Sequence, residues 1–449
     1  CPAPPPKPEN ITYFPSAAAA VKAGLRPCLR CRPEAAPGTP AWNGTSATVA
    51  RAMHLIRRGA LNEGGVEALA HRLGIGSRHL RRLFKRQLGT TPMAMASLQR
   101  VFFAKQLLRE TLLPVTEIAY ACGFGSIRRF NAAFRTVCGR SPTESRLASA
   151  GLPKGVEGDA RFTCRLTLPY RPPFLWPPML AFFRERALSG IEAVDEHSYQ
   201  RTFRCNGHSG FFRVSPAPKV HGLVLEVRLS DMRNLMGVVE RARRMFDLDA
   251  NLEAITRALS RDPLLRPLIK KLPGLRLPVV WDPFEAAVRA VVGQQISIQG
   301  ARTILGRIVR CAGPLADYGH SPDGALHLFP NASELAGTDL SGVGLTASRI
   351  RTLKELARGV AAGRIELAIT RDLPDFIRRM TDIAGIGPWT AHYTALRALG
   401  EPDAFPASDL GLARAMTQNG RRPTRAQVRA RAENWRPWRA YGATYLWNA

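Results

Sequence analysis

The residues best suited to chemistry in this 449-residue chain lie late in it. Ile383-Ala384-Gly385-Ile386-Gly387-Pro388-Trp389-Thr390-Ala391 reads as a tight hairpin between two helices. Glycines at alternate positions let backbone N–H groups turn toward a phosphate without a Cβ clash, and the dipole of the next helix adds to that attraction. Asp409 follows Trp389 by 20 residues, in Phe405-Pro406-Ala407-Ser408-Asp409, and opens a helical run over Leu410–Met416. A carboxylate held there could stabilise positive charge that develops in a reaction. Each feature alone has a plainer reading: a helix–helix connection for the glycines, a helix cap for Asp409. Trp435-Arg436-Pro437-Trp438-Arg439 and Tyr445-Leu446-Trp447 are expected to supply aromatic surface in a basic tail.

Composition says what these residues act on. Lys and Arg total 64 against 35 Asp and Glu, a formal net charge of +29. Such an excess suits a polyanion, because each neutralised phosphate releases condensed counterions. Between Arg51 and Arg146, 17 basic residues stand against five acids, marking that segment as the expected DNA contact. No apolar run reaches the roughly 18 residues of a membrane span, and no secretory signal pattern opens the chain. The start at Cys1 reads as a truncation. Cys122, Cys138, Cys164, Cys205 and Cys311 sit singly and read as ordinary buried thiols, so a reducing cytoplasm is expected.

The elements that must position these groups follow from pattern. Residues 1–43 are rich in Pro, Ala and Cys, 48–150 read as amphipathic helices, and 151–159 form a polar linker. Strand-like runs occupy Phe162–Leu168 and Leu223–Leu229, and from about residue 232 the pattern is helical. One unit is duplicated. Ala70-x3-Gly74-Ile75-Gly76-Ser77 recurs as Ala119-x3-Gly123-Phe124-Gly125-Ser126, and each copy closes with Gly-x-x-Pro at Gly89 and Gly139. In the first copy Val66, Leu69, Ala70 and Leu73 face a core. Arg78, Arg81, Arg82 and Lys85 then fall on one side of the second helix, the geometry of a recognition helix in the major groove. In the second copy Arg128, Asn131 and Arg135 form the polar face and Phe130 and Phe134 the buried one. A single basic face is as often just solvated; two copies joined by a long helix over Ala96–Leu108 favour DNA reading.

Cys28-Leu29-Arg30-Cys31 is a CxxC whose thiolates can share a zinc ion. With Cys1-Pro2-Ala3, Pro8-Glu9-Asn10-Ile11 and Gly24-Leu25-Arg26-Pro27 it resembles the zinc domain of the Ada adaptive-response family. That resemblance implies zinc on Cys1, Cys28 and Cys31 as second to fourth ligands, with the first, methyl-accepting cysteine upstream of residue 1. No methyl-acceptor activity is therefore assigned to this chain. The duplicated unit resembles the AraC-type helix-turn-helix domain over residues 48–150, implying transcriptional control of repair genes, promoter DNA as a partner, and RNA polymerase as a further one.

Residues 162–449 resemble the helix-hairpin-helix glycosylases, specifically the 3-methyladenine DNA glycosylase II (AlkA) type. The likeness rests on the hairpin, Asp409 and the aromatic tail. It extends to Pro172-Pro173-Phe174, Met179-Leu180-Ala181-Phe182, Arg244-Met245-Phe246-Asp247-Leu248 and Phe284-Glu285-x4-Ala290-x2-Gly293-Gln294-Gln295-Ile296-Ser297. The resemblance implies Asp409 as the essential carboxylate. It implies Trp389, Tyr393, Trp447 and Phe182 as walls of a base pocket, and Gly385, Ile386, Gly387 and Thr390 as a DNA-backbone clamp. Gln294 and Gln295 become the loop that fills the gap left by an extruded base. Gln295 replaces an apolar wedge of the family, and Leu410 an aromatic residue. Bifunctional relatives carry a lysine where Trp389 stands, so a monofunctional enzyme using water is expected. Cys311 is the sole cysteine after residue 205, so no carboxy-terminal four-cysteine iron–sulfur site is expected.

The expected architecture is multidomain, mainly α with α+β parts. It comprises a small zinc domain (1–43), an AraC-type helix-turn-helix pair (48–150), an α+β AlkA N-terminal domain (160–275) and an all-α helix-hairpin-helix glycosylase domain (276–449). The expected function is excision of alkylated bases from double-stranded DNA, fused to a transcriptional regulator, in the cytoplasm at the nucleoid. The competing reading is a damage-responsive transcription factor whose glycosylase-like half is inactive.

Overall fold

The computed structural model describes residues 7–14, 17–25, 47–57, 59–62, 64–147, 163–321, 324–368, 372–417 and 420–449. Cys1, Cys28 and Cys31, the expected zinc ligands, and the 151–159 linker lie outside the described residues. Two compact units emerge: Cys1–Tyr170 with Ala217–Arg241, and Arg171–Pro216 with Ala242–Ala449.

Seven strands occur among the described residues: β1 (Cys164–Pro169), β2 (Glu192–Val194), β3 (Tyr199–Cys205), β4 (His208–Pro216), β5 (Gly222–Leu229), β6 (Leu315–Ser321) and β7 (Gly324–His327). In the first unit β1 pairs antiparallel with β5, Cys164 opposite Val227 and Pro169 opposite Gly222. In the second, β2 pairs with β3 and β3 with β4, with Tyr199 shared between Val194 and Val214. The β6–β7 hairpin breaks the helical reading of the chain after residue 232. Its pairing is irregular, with the register shifting between Leu315 and His320, so no steady alternation marks it in the sequence.

The first unit is built on the duplicated pattern. Helices α1 (Val66–Arg72) and α2 (Ser77–Leu88) bury Val66, Leu69, Ala70, Leu80, Leu83, Phe84 and Leu88. Helix α3 (Pro92–Glu110) leads to α4 (Val115–Ala121) and α5 (Ile127–Cys138), which repeat the arrangement. The recurring glycines have one cause: Gly74, Gly89, Gly123 and Gly139 all hold positive φ, between 67° and 79°, where a Cβ is strained. Helix α3 starts on a Thr91 cap with Pro92 at its first position, and its carboxy-terminal turn serves β1. Glu110 accepts the Thr167 N–H at 2.7 Å and Gln106 donates to the Thr167 carbonyl at 2.8 Å, closing backbone groups that β5 does not pair.

The second unit buries a continuous core running from Leu188 to Leu446. Its helices include α6 (Trp176–Arg186), α7 (Pro283–Val292), α8 (Ile298–Ala312), α9 (Ala347–Ala361), α10 (Leu373–Thr381), α11 (Pro388–Leu399), α12 (Leu410–Ala415) and α13 (Arg439–Trp447). Two expectations need correcting. Trp435 and Tyr445 are each 1% exposed, and Trp435 donates its indole N–H to Asp262 at 2.7 Å, so both belong to the core and not to an aromatic surface. Cys311 is exposed: it falls in the last turn of α8, off the face that buries Leu305, Ile308 and Val309. Among the described residues no helix is long and apolar enough to cross a membrane.

Candidate active site and nucleic-acid interface

Helix α11 begins at Pro388, directly after the glycine hairpin, and carries Trp389 and Tyr393 one turn apart. Their rings stack at 5.0 Å with an interplanar angle of 13°. Trp447, at the end of α13, meets Tyr393 edge-on at 6.3 Å. Phe182 of α6 completes the wall of a cavity of about 500 Å³ that Asp409 also lines. The structure therefore brings together all five residues singled out for base excision.

Asp409 is tied at both oxygens. Oδ1 accepts the Leu412 N–H at 3.1 Å, capping α12, and the Trp447 indole N–H at 2.9 Å. Oδ2 accepts the Trp389 indole N–H at 2.9 Å. The helix-cap reading and the cavity reading of this residue are thus both satisfied at once. Next to Tyr393, His392 takes the Phe405 N–H on Nδ1 at 3.3 Å, steadying the loop that leads to Asp409. Burial, then the surrounding arginines, push its pKa down to about 4, so it is neutral at neutral pH.

At the hairpin, Gly385 has φ +86°, and a Cβ there would lie 2.1 Å from Thr352 Oγ1. Two constraints thus demand glycine. Ile386 and Thr390 are buried at 4% and 2%, so their side chains anchor the turn, while Gly385 and Gly387 are exposed. Gln294 braces the same turn, donating to the Gly385 carbonyl at 3.0 Å and the Thr390 hydroxyl at 2.9 Å. Arg349 in turn donates to the Gln294 carbonyl. The adjacent Gln295 is exposed and sits at φ +57°, a conformation that a side chain adopts only when its surroundings impose it. Residues 294 and 295 therefore do different work: one braces, the other projects.

Three features of the cavity are absent from the expectations drawn from the sequence. Arg397, one turn beyond Tyr393 on α11, is 5% exposed and lines the cavity. Burial draws its guanidinium down to about 10, against the pull of Tyr393 and Asp409. Burial raises the Tyr393 phenol, but the Arg397 and Arg186 guanidiniums outweigh it and hold it below its ordinary value. The second feature is the cavity floor, where Arg201 bonds Glu285 at 2.8 Å while Arg289 bonds Glu192 at 2.6 Å and Glu285 at 2.7 Å. Tyr199 adds a bond to Glu192 at 2.6 Å. The third is Arg186, whose guanidinium carbon lies 4.3 Å from the Phe182 ring centre. The i, i+4, i+8 spacing of Trp389, Tyr393 and Arg397 was a usable signal for the first; the floor pairs residues too far apart in sequence to be matched.

In the first unit, Arg78, Arg81, Arg82 and Lys85 are all exposed on α2. Arg81 pairs with Glu67 at 2.7 Å and Arg82 with His79 at 2.9 Å, so the face is partly self-engaged. On α5, Arg128 and Arg135 are exposed and Asn131 half-buried, while Phe130 and Phe134 are fully buried, 5.8 Å apart.

Three family models match: the metal binding domain of Ada over residues 1–34, a helix-turn-helix domain over 69–148, and the AlkA N-terminal domain over 165–282. The whole chain is 41% identical to the probable bifunctional transcriptional activator/DNA repair enzyme AlkA of Mycobacterium tuberculosis, covering 89% of it. This chain belongs to the bifunctional AlkA family. DNA-3-methyladenine glycosylase 2 of Escherichia coli is 31% identical over 284 residues, 63% of this chain and 96% of the relative. The 3-methyladenine DNA glycosylase of Archaeoglobus fulgidus has the same fold, with a TM-score of 0.53 at 22% identity, over 63% of this chain and 96% of that one. The AlkA assignment agrees with the multidomain, mainly helical architecture expected from sequence.

Proposed function

We propose that this AlkA-family chain removes alkylated bases from double-stranded DNA by monofunctional N-glycosidic hydrolysis, and that its helix-turn-helix pair binds promoter DNA to control the alkylation response. The observation that carries the first part is Asp409, fixed by two indole N–H groups inside a ring-lined cavity beside the glycine hairpin. The hairpin amides and the start of α11 suit a DNA phosphate. The lesion is flipped out, at a cost of a few kcal/mol, and enters between the rings. Gln295 projects where it can fill the space left behind. As the bond to the base breaks, the Asp409 carboxylate stabilises the cationic sugar, and water adds there. No lysine stands at position 389, which fits water rather than an amine as nucleophile.

For regulation, the exposed cations of α2 and α5 are the proposed contacts, with RNA polymerase as the partner to be recruited. The family relation and the residues themselves fit a cytoplasmic protein at the nucleoid. Zinc is the proposed cofactor of the first segment, on the thiolates of Cys1, Cys28 and Cys31; the match to the Ada metal binding domain supports it.

The test is release of 3-methyladenine from methylated duplex DNA. Wild type is expected to release it, and Asp409→Asn to be slower by about 10²–10³-fold with duplex binding retained. An Asp409→Asn protein as fast as wild type would refute the assignment. A wild type that binds promoter DNA but releases no base would favour the regulator with an inactive glycosylase half.

A further inference from the structure

Three of the rings in the cavity already share a cation. The Arg397 guanidinium carbon lies 4.4 Å from the centre of Phe182, 4.9 Å from Trp447 and 5.7 Å from Tyr393. Its Nη1 donates to the Pro278 carbonyl at 2.9 Å, whereas Nε is buried without a partner. A buried donor left unmade weakens a fold unless something else uses it. The four charges of the floor, Glu192, Glu285, Arg201 and Arg289, balance one another. Arg186 is paired with Glu185 at 2.8 Å, which leaves Arg397 as the cation of the ring-lined end, across the cavity from Asp409.

Leaving-group charge decides what such a cation does. Heterolysis leaves the electron pair of the C1′–N bond on the base. A base cationic from alkylation departs neutral and gains nothing from a nearby guanidinium. A neutral base departs as an anion, and a desolvated cation close to it lowers that barrier.

Resting on the excision reading above, we propose that Arg397 is the leaving-group partner of the pocket. Its N–H donates to a carbonyl oxygen or ring nitrogen of a neutral extruded base, which extends excision to lesions that depart as anions. The C1′–N bond breaks and the base keeps the pair. The base anion, paired with Arg397, takes a proton from solvent. Water adds to the sugar cation at C1′ and gives up its proton to solvent, so one water is consumed and no other reactant is needed.

The test compares two duplexes under single-turnover conditions, one carrying neutral hypoxanthine and one cationic 7-methylguanine. The ratio of the two rates does not depend on how much of a variant is folded. Arg397→Gln is expected to lower the hypoxanthine rate by about 10- to 100-fold more than the 7-methylguanine rate, the worth of a hydrogen bond from a charged group. Arg397→Lys is expected to keep the ratio within about threefold of wild type. Equal slowing on both duplexes, or an unchanged ratio, assigns Arg397 to packing alone and overturns the proposal. Wild-type release of 7-methylguanine with hypoxanthine untouched also overturns it and leaves the excision reading standing. Failure on both duplexes removes the excision reading and this proposal together.

Discussion

The cavity of the second unit and the recognition helices of the first both depend on charge, and they handle it in opposite ways. In the cavity, every oxygen of Asp409 has a donor before any ligand arrives, and the floor arginines are locked to carboxylates at side-chain exposures of 1% and 12%. On α2 the cations stand in water, and the Arg81–Glu67 pair has both partners largely exposed. An exposed pair of that kind is worth at most about 1 kcal/mol, so a phosphate can take Arg81 over at little cost. The contrast separates two tasks. Chemistry needs groups that do not reorganise during the reaction, whereas reading a duplex tolerates long side chains that settle on it afterwards.

That contrast can be broken at three points. Glu285→Ala strips both Arg201 and Arg289 of a buried partner and is expected to cost about 3–5 kcal/mol; denaturant midpoints measure it, and a loss below about 1 kcal/mol would mean the floor behaves like a surface pair. Trp389→Phe keeps the stacked ring but removes one N–H from Asp409. Losing a hydrogen bond to a charged group should slow base release by about 10- to 100-fold, with stability nearly unchanged; an unaltered rate would show that the Asp409 carboxylate needs no fixing. Arg78→Ala should have the smallest effect, weakening duplex binding evenly across sequences and flattening the salt dependence by about one unit of slope. Base release from methylated DNA should not change, and a change there would mean that the two activities share one DNA contact.

What the sequence revealed divides along the same line. The recognition helices were legible because their signals are local: apolar spacing at Leu80, Leu83 and Phe84, cations on the far side, and glycines where the chain must turn at positive φ. Asp409 and the hairpin were legible for the same reason. The floor was not, because Arg201 and Glu285 are 84 residues apart and only the fold introduces them. Trp435 misled because an indole looks the same in sequence whether its N–H meets solvent or a largely buried carboxylate such as Asp262. In sequence Gln294 and Gln295 form one loop, yet a single peptide separates a brace from a projecting side chain.

The carboxy-terminal turn of α3 has a mechanical consequence. The same helix that separates the two recognition units also satisfies the exposed rim of β1 through Gln106 and Glu110. Tilting that helix on a promoter would release the Thr167 amide and uncover a strand margin able to pair with a neighbouring chain. That helix is thus tied at one end to β1, and protection of the Thr167 amide against deuterium exchange reports whether it shifts when the protein binds DNA.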